Sequence, residues 1–215
     1  MSAQTLRISE IFYSLQGEAK TVGLPTVFIR LTGCPLRCQY CDTSYAFSGG
    51  KIIAISDILE QVSSYQTRYI TVTGGEPLAQ PACLSLLEQL ADKGYEVSLE
   101  TSGALDVSKV DVRISKVMDL KTPASAEEAR NLYTNIQYLT VKDQLKFVIC
   151  NRDDYQWSKQ KITEYQLDEK CELLFSPAMG QQEPTELAEW ILQDQLPVRF
   201  QLQLHKILWG NEAGK

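Results

Sequence analysis

Short runs of β-branched residues alternate with helical patterns along almost the whole chain, and this alternation limits the fold more than any other feature. Strands separated by helices mark βα units around a parallel sheet. The runs predict strands at Val27–Leu31, Ile70–Thr73, Val97–Thr101, Val117–Leu120, Leu145–Cys150, Leu173–Ser176 and Phe200–Leu204, with an additional N-terminal strand at Leu6–Tyr13. Leu84, Leu87, Leu90 and Ala91 repeat at helical spacing after Pro81, and Gly94 is a natural stop. A second helix runs through Ile58, Leu59 and Val62, and others are expected at Ser125–Leu132, Tyr155–Tyr165 and Pro184–Asp194. About six secure parallel strands are too few for a closed eight-stranded barrel. The expected fold is therefore α/β, an open, partial (β/α) barrel with its active site at the strand C-terminal ends. No repeat, linker or low-complexity tract interrupts the order, and 215 residues fit one domain spanning 1–215.

Cys34, Cys38 and Cys41 stand as C-x3-C-x2-C directly after the first barrel strand. Three closely spaced thiolates can hold three irons of a 4Fe-4S cubane and leave the fourth iron open as a reaction site. A zinc site would need a fourth ligand. No Cys or His nearby completes a familiar pair, so a zinc ion would have to recruit a distant residue. Cys83, Cys150 and Cys171 lie in apolar runs and read as small buried hydrophobes. The formal net charge of -6 argues against a nucleic-acid partner, which would need clustered Lys and Arg. No leader-like segment or membrane-length apolar stretch occurs, so a cytoplasmic protein acting on a small polar molecule is expected.

Thr73-Gly-Gly-Glu-Pro77 follows the next strand. Gly74 and Gly75 let the backbone approach a ligand with no Cβ in the way. With both motifs in this order the chain resembles the radical S-adenosylmethionine (SAM) superfamily. That resemblance implies that the cysteines carry a cluster chelating SAM, that Tyr40 packs beside its adenine with Cys41 and Asp42 adjoining, and that Gly75 and Glu76 meet its amino group.

Four further segments resemble one family within it, the 7-carboxy-7-deazaguanine synthases: Phe12-Tyr-Ser-Leu-Gln-Gly-Glu18, Cys41-Asp-Thr43, Glu100-Thr-Ser-Gly103 and Gln203-Leu-His-Lys206. The substrate this implies, 6-carboxy-5,6,7,8-tetrahydropterin, has a guanidine-like donor edge, a ring carbonyl and a carboxylate. A Glu carboxylate can accept two hydrogen bonds from the donor edge and an Arg fork can grip the carboxylate, roles that suit Glu18 and Arg30. Arg30 otherwise reads as the outward face of an alternating strand.

The resemblance adds Leu15, Gln16, Gly17 and Thr73 as substrate contacts, and leaves Glu100 to either the substrate edge or a cofactor ribose. His205, the only histidine, is expected near the end of the last strand as a further substrate contact. Thr43 is the expected ligand of a Mg2+ ion, which keeps waters and takes few protein oxygens. Lys121, in Asp119-Leu-Lys-Thr-Pro123, and Phe175-Ser176-Pro177-Ala178 supply further SAM contacts, although the first turn departs from the family's Ser-Pro-Lys wording. The implied activity is a radical ring contraction with loss of ammonia, driven by a donor such as flavodoxin, in a homodimer. Two rivals remain at this level: a glycyl-radical activating enzyme, and a non-catalytic metal or redox-sensing module.

Overall fold

The computed structural model describes residues 4–210, 212 and 214. Among them, one sheet of nine strands runs in the order β3-β1-β2-β4-β5-β6-β7-β8-β9. β2 (Pro25–Leu31), β4 (Tyr69–Gly74), β5 (Glu96–Thr101), β6 (Ser115–Asp119), β7 (Gln144–Ile149), β8 (Glu172–Pro177) and β9 (Arg199–Phe200) are successively parallel. β1 (Thr5–Leu15) lies antiparallel to β2, and β3 (Lys51–Ala54) pairs antiparallel with β1 at the edge. The sheet stays open between β3 and β9, as expected of a partial barrel.

Period-two alternation decides which side chains meet the helices. On β7, Leu145, Phe147 and Ile149 are buried in an apolar cluster with Tyr155 of α3 (Arg152–Tyr165) and Leu187 of α4 (Pro184–Gln193). Lys146 and Val148 point the other way, toward a cavity. A second cluster joins β1, β2, β4 and β5 to α1 (Ile55–Ser63) and α2 (Cys83–Asp92) through Val27, Ile29, Ile58, Val72, Leu86 and Leu90.

The segment after β1 bridges the open side of the barrel. Ala19 and Gln201 exchange hydrogen bonds of 2.7 and 3.0 Å, the Lys20 N–H donates to Gln144 at 2.8 Å, and the Leu204 N–H donates to the Gly17 carbonyl at 2.9 Å. Gln16 to Lys20 are thereby tied to β7 and to the chain beyond β9.

Three expectations need correction. The helix expected at Ser125–Leu132 is a series of 3-10 turns at Pro123–Ser125, Glu128–Arg130 and Tyr133–Tyr138. Ser125 Oγ donates back to the Thr122 carbonyl at 2.6 Å and accepts from the Glu127 N–H at 3.0 Å, and Ala126 is left-handed at φ 62°. Such local side-chain bonds compete with a helical ladder. The strand expected at Phe200–Leu204 pairs only over Arg199–Phe200, because Gln201 turns to hold Ala19. Consequently His205 lies in the short helix α5 (Leu204–Trp209), not at a strand end. β3 was not anticipated; four residues after Gly49-Gly50 cannot be told by period from the start of α1.

Candidate active site

A cavity of about 300 Å³ opens at the C-terminal ends of the barrel strands. Its floor and walls come from Arg30 on β2, Thr73 and Gly74 on β4, Glu100 and Thr101 on β5, Asp119 on β6, Lys146 and Val148 on β7, and Ser176 and Pro177 on β8. Cys34, Cys38 and Cys41 line it as free, partly exposed thiols.

The two sequence motifs are locked together by backbone. The Gly75 N–H donates to the Leu31 carbonyl at 3.0 Å and the Glu76 N–H to the Gly33 carbonyl at 2.7 Å. A Cβ on Gly75 would strike the Gly33 carbonyl and the Cys34 side chain, so glycine is required for this approach. The turns that replaced the expected helix brace the same loop: the Gln39 N–H donates to the Ser125 carbonyl at 3.0 Å, and the Arg37 N–H donates to Glu127. Asn131 brackets the Lys121 backbone with bonds of 2.9 and 2.8 Å.

On the other side of the cavity charges interlock. Glu18 accepts from Lys146 Nζ at 2.6 Å and from Gln203 Nε2 at 2.8 Å. Burial alone would raise the Glu18 pKa, but Lys146 and these hydrogen bonds hold it below the ordinary glutamate value. Lys146 also faces Asp119 at 3.8 Å, and Asp119 pairs with Lys121 at 2.9 Å. Although burial opposes their charge, these carboxylates raise both lysines above the usual value. Glu100 moves upward, through burial and the nearby Glu18. Asp42 is held down against burial by Lys206 at 2.8 Å, and Thr43 Oγ1 donates to its other oxygen at 2.8 Å. His205 packs against Gly17, where a Cβ would collide with its ring, and burial lowers its pKa.

Nearly every expected site residue faces this cavity: Leu15, Gln16, Gly17 and Glu18 from the bridging segment, Arg30, Tyr40, Asp42, Thr43, Thr73, Gly75, Glu100, Lys121, Ser176, Pro177, Ala178 and His205. Two do not. Phe175 alternates outward into the core beside Phe147 and Tyr155, with only its backbone near Ser176. Glu76 is fully buried behind the wall. Its carboxylate accepts from the Ser102 N–H at 2.7 Å, Thr101 Oγ1 at 3.0 Å and the Leu78 N–H at 3.0 Å, so it braces the β5 turn. Sequence reasoning missed Lys146, Asp119, Gln203 and Lys206 as cavity groups. For Lys146 the signal was present, a charge inside the run Gln144–Ile149 of a strand covered on both faces.

The donor set fits the groups a radical SAM protein holds. Among the described residues, no three Cys, His, Asp or Glu side chains converge as ligands of a single metal ion. Three thiols spread along one loop instead suit a cubane, in which each thiolate takes a different iron. Burial raises Cys38 to about 11, partly offset by the Lys121 ammonium. The Tyr40 hydroxyl and Asp119 Oδ1 are buried at this wall with no partner, as sites awaiting a polar ligand would be.

Comparison with known proteins agrees with this geometry. Residues 28–164 match the Radical SAM superfamily, the class that the fold and the three-cysteine loop define. A 7-carboxy-7-deazaguanine synthase of Chlorobaculum tepidum is 43% identical over 97% of this chain and 96% of its own. Its counterpart in Koribacter versatilis is 38% identical over 97% and 99%. The crystal structure of QueE from Escherichia coli superposes with a TM-score of 0.78 at 22% identity, covering 94% of this chain and 95% of that one. The chain belongs to the 7-carboxy-7-deazaguanine synthase family.

Proposed function

We propose that this chain is a radical SAM lyase that rearranges 6-carboxy-5,6,7,8-tetrahydropterin to 7-carboxy-7-deazaguanine with loss of ammonia, in queuosine and 7-deazapurine biosynthesis. The observation that carries this reading is one cavity holding the three-cysteine loop at one wall and the Glu18–Arg30 pair of recognition groups at another. When bound, a 4Fe-4S cluster and SAM supply the electron transfer and hydrogen abstraction that start the rearrangement.

The protein's own side chains orient the substrate. Glu18, kept ionised by Lys146, is an acceptor for the donor edge of the pterin, and Arg30 presents its guanidinium to the carboxylate. Gln16 donates to Glu100 at 3.3 Å and to Thr71 at 3.0 Å, which fixes the floor beneath the ring. Tyr40, Asp42, Gly75, Lys121 and the Ser176–Ala178 turn surround the space for SAM. Arg30→Lys is expected to weaken carboxypterin binding about tenfold or more and leave SAM binding intact, because an ammonium lacks the planar fork. Unchanged affinity in a titration would make Arg30 structural.

The Thr43 hydroxyl is a hard oxygen donor at the cavity wall, which supports a Mg2+ ion there completed by substrate and water. Thr43→Ala should preserve cluster content and cofactor cleavage while lowering turnover roughly tenfold and flattening the response to added Mg2+. Identical Mg2+ titrations after chelator treatment would remove Thr43 from the metal site.

A low-potential donor such as flavodoxin would reduce the cluster, and the family resemblance implies a homodimer. Its free cysteines suit a reducing cytoplasm, and its continuous sheet supports a single domain. The reading is tested by anaerobic incubation with dithionite, SAM, Mg2+ and the carboxypterin, followed by product mass. A deazaguanine carboxylate is expected; cofactor cleavage that requires a glycyl-radical enzyme as partner would overturn it.

A further inference from the structure

The Arg30 guanidinium is held from three sides before any ligand arrives. Its Nε donates to Glu10 Oε1 at 2.7 Å, its Cζ lies 5.8 Å from the Phe12 ring centre, and the Tyr45 ring lies 5.9 Å away. Glu10 and Arg30 are direct cross-strand partners in β1 and β2, just past a register shift between Ile8 and Glu10. Directly opposed residues of an antiparallel pair share a face, so Glu10 sits on Arg30's side of the sheet. The Tyr45 hydroxyl donates to the same Glu10 oxygen at 2.7 Å. Tyr45 belongs to the 3-10 turn Ser44–Phe47 that begins immediately after Thr43, and the Gly33 N–H closes on Ala46 of that turn at 2.8 Å.

Glu10 and Tyr45 do not line the cavity, while Arg30 and Thr43 do. With Nε occupied from behind, both Nη groups are left without a protein partner among the described residues, and they form the end of a rigid fork. A guanidinium preorganised in this way loses little freedom when it takes a second carboxylate. An ordinary β-sheet ion pair would need neither the flanking rings nor the shared tyrosine.

We propose that Glu10 is a positioning residue that aims the Arg30 fork at the substrate carboxylate, with Tyr45 as the strut tying this pair to the loop of Cys41 and Thr43. The proposal rests on the reading of Arg30 given above. It makes carboxylate recognition and the setting of the cluster loop parts of one unit: displacing Glu10 loosens the fork, and displacing the Tyr45 hydroxyl loosens its registration to the metal end of the cavity. Because Glu10 takes only Nε, a pterin lacking the carboxylate gains little from the pair, and a carboxylated one meets both Nη groups in a bidentate bond.

The test compares the affinities of 6-carboxytetrahydropterin and tetrahydropterin lacking the carboxylate, for the reconstituted wild type and for Glu10→Ala, Glu10→Gln, Tyr45→Phe and Arg30→Lys. Glu10→Ala should shrink the ratio between the two affinities about tenfold by weakening only the carboxylated ligand, with SAM affinity and cluster absorbance unchanged. Glu10→Gln retains an acceptor oxygen and should restore part of the ratio. Tyr45→Phe should raise KM about threefold and keep the cluster. A loss of both ligands in equal proportion, or a lower melting temperature with the ratio intact, would overturn the proposal. The outcomes separate cleanly: an ineffective Arg30→Lys refutes the recognition role, whereas an effective Arg30→Lys with an unchanged ratio in both Glu10 variants refutes only the positioning.

Discussion

Cys38→Ala abolishes cofactor cleavage in anaerobically reconstituted protein, with 5′-deoxyadenosine under dithionite falling to background. Two thiolates cannot hold a cubane with one distinct open iron, and Cys38 stands in the cavity wall near Lys121 and the other two thiols. Cys34→Ala and Cys41→Ala should behave alike. Cys83, Cys150 and Cys171 are buried and do not line the cavity; their replacement with serine should cost stability and leave cleavage in place. Normal cleavage in Cys38→Ala would remove the cluster from this loop.

Lys146→Met should be the most damaging change outside the cysteines, because it strands a charge network. Glu18 and Lys146 have side chains only 15% and 16% exposed, and their 2.6 Å bond is the main reason Glu18 stays ionised despite burial. Removing one partner of such a pair costs about 3 kcal/mol, on the order of 9 °C in melting temperature for a chain of this size. Activity should fall further than stability, since Glu18 then takes up a proton beside Glu100 and ceases to be a double acceptor.

The pH dependence has a definite sign. Glu18's folded pKa is depressed, so its contribution is fully present above its unfolded value, about 4.5, and is lost as pH falls through the folded one. In the variant that carboxyl has no cation and is raised. The melting-temperature gap between wild type and Lys146→Met should therefore be widest near neutrality, narrow as pH falls toward and below about 4.5, and close only below the depressed folded value, where Glu18 is protonated in both. Lys146, raised above the usual lysine value, contributes below about 10.5 and would be lost only on strong alkalinisation. An equal gap at pH 4 and pH 7 would show that the pair is not what holds Glu18.

Much of this architecture could be read from residues because parallel strands are buried on both faces and declare themselves as apolar runs. Val27–Leu31, Ile70–Thr73 and Leu145–Cys150 all fell within a residue or two of the observed strands. The cysteine loop and the Gly-Gly-Glu-Pro turn were legible because their spacing carries the chemistry. Their mutual lock through Gly33 and Leu31 was not, since backbone bonds between residues so distant in sequence leave no local pattern. Ser125–Leu132 failed for a related reason. It has helical composition, but its side chains bond to their own backbone and it is shaped by the loop it supports.

The tail Phe200–Leu204 alternates like a strand, yet Gln201 and Gln203 point to Ala19 and to Glu18, contacts about 180 residues distant in sequence. Phe175 and Glu76 illustrate the limit of carrying roles along a motif. The turn can face the ligand space while a given side chain in it turns to the core or locks a neighbouring strand. Lys146 and Glu10 were visible only as charges in strands, and their partners could be known only once the barrel had brought β1, β2, β6 and β7 to one cavity.

This cavity performs a ring contraction rather than simple cofactor cleavage. The most direct measurement counts ammonia, deazapurine and consumed SAM in the same anaerobic reaction containing 6-carboxytetrahydropterin, dithionite and Mg2+. One ammonia is expected for each 7-carboxy-7-deazaguanine, over many turnovers for each SAM lost. SAM consumed in step with 5′-deoxyadenosine, with neither ammonia nor a deazapurine released, would contradict it.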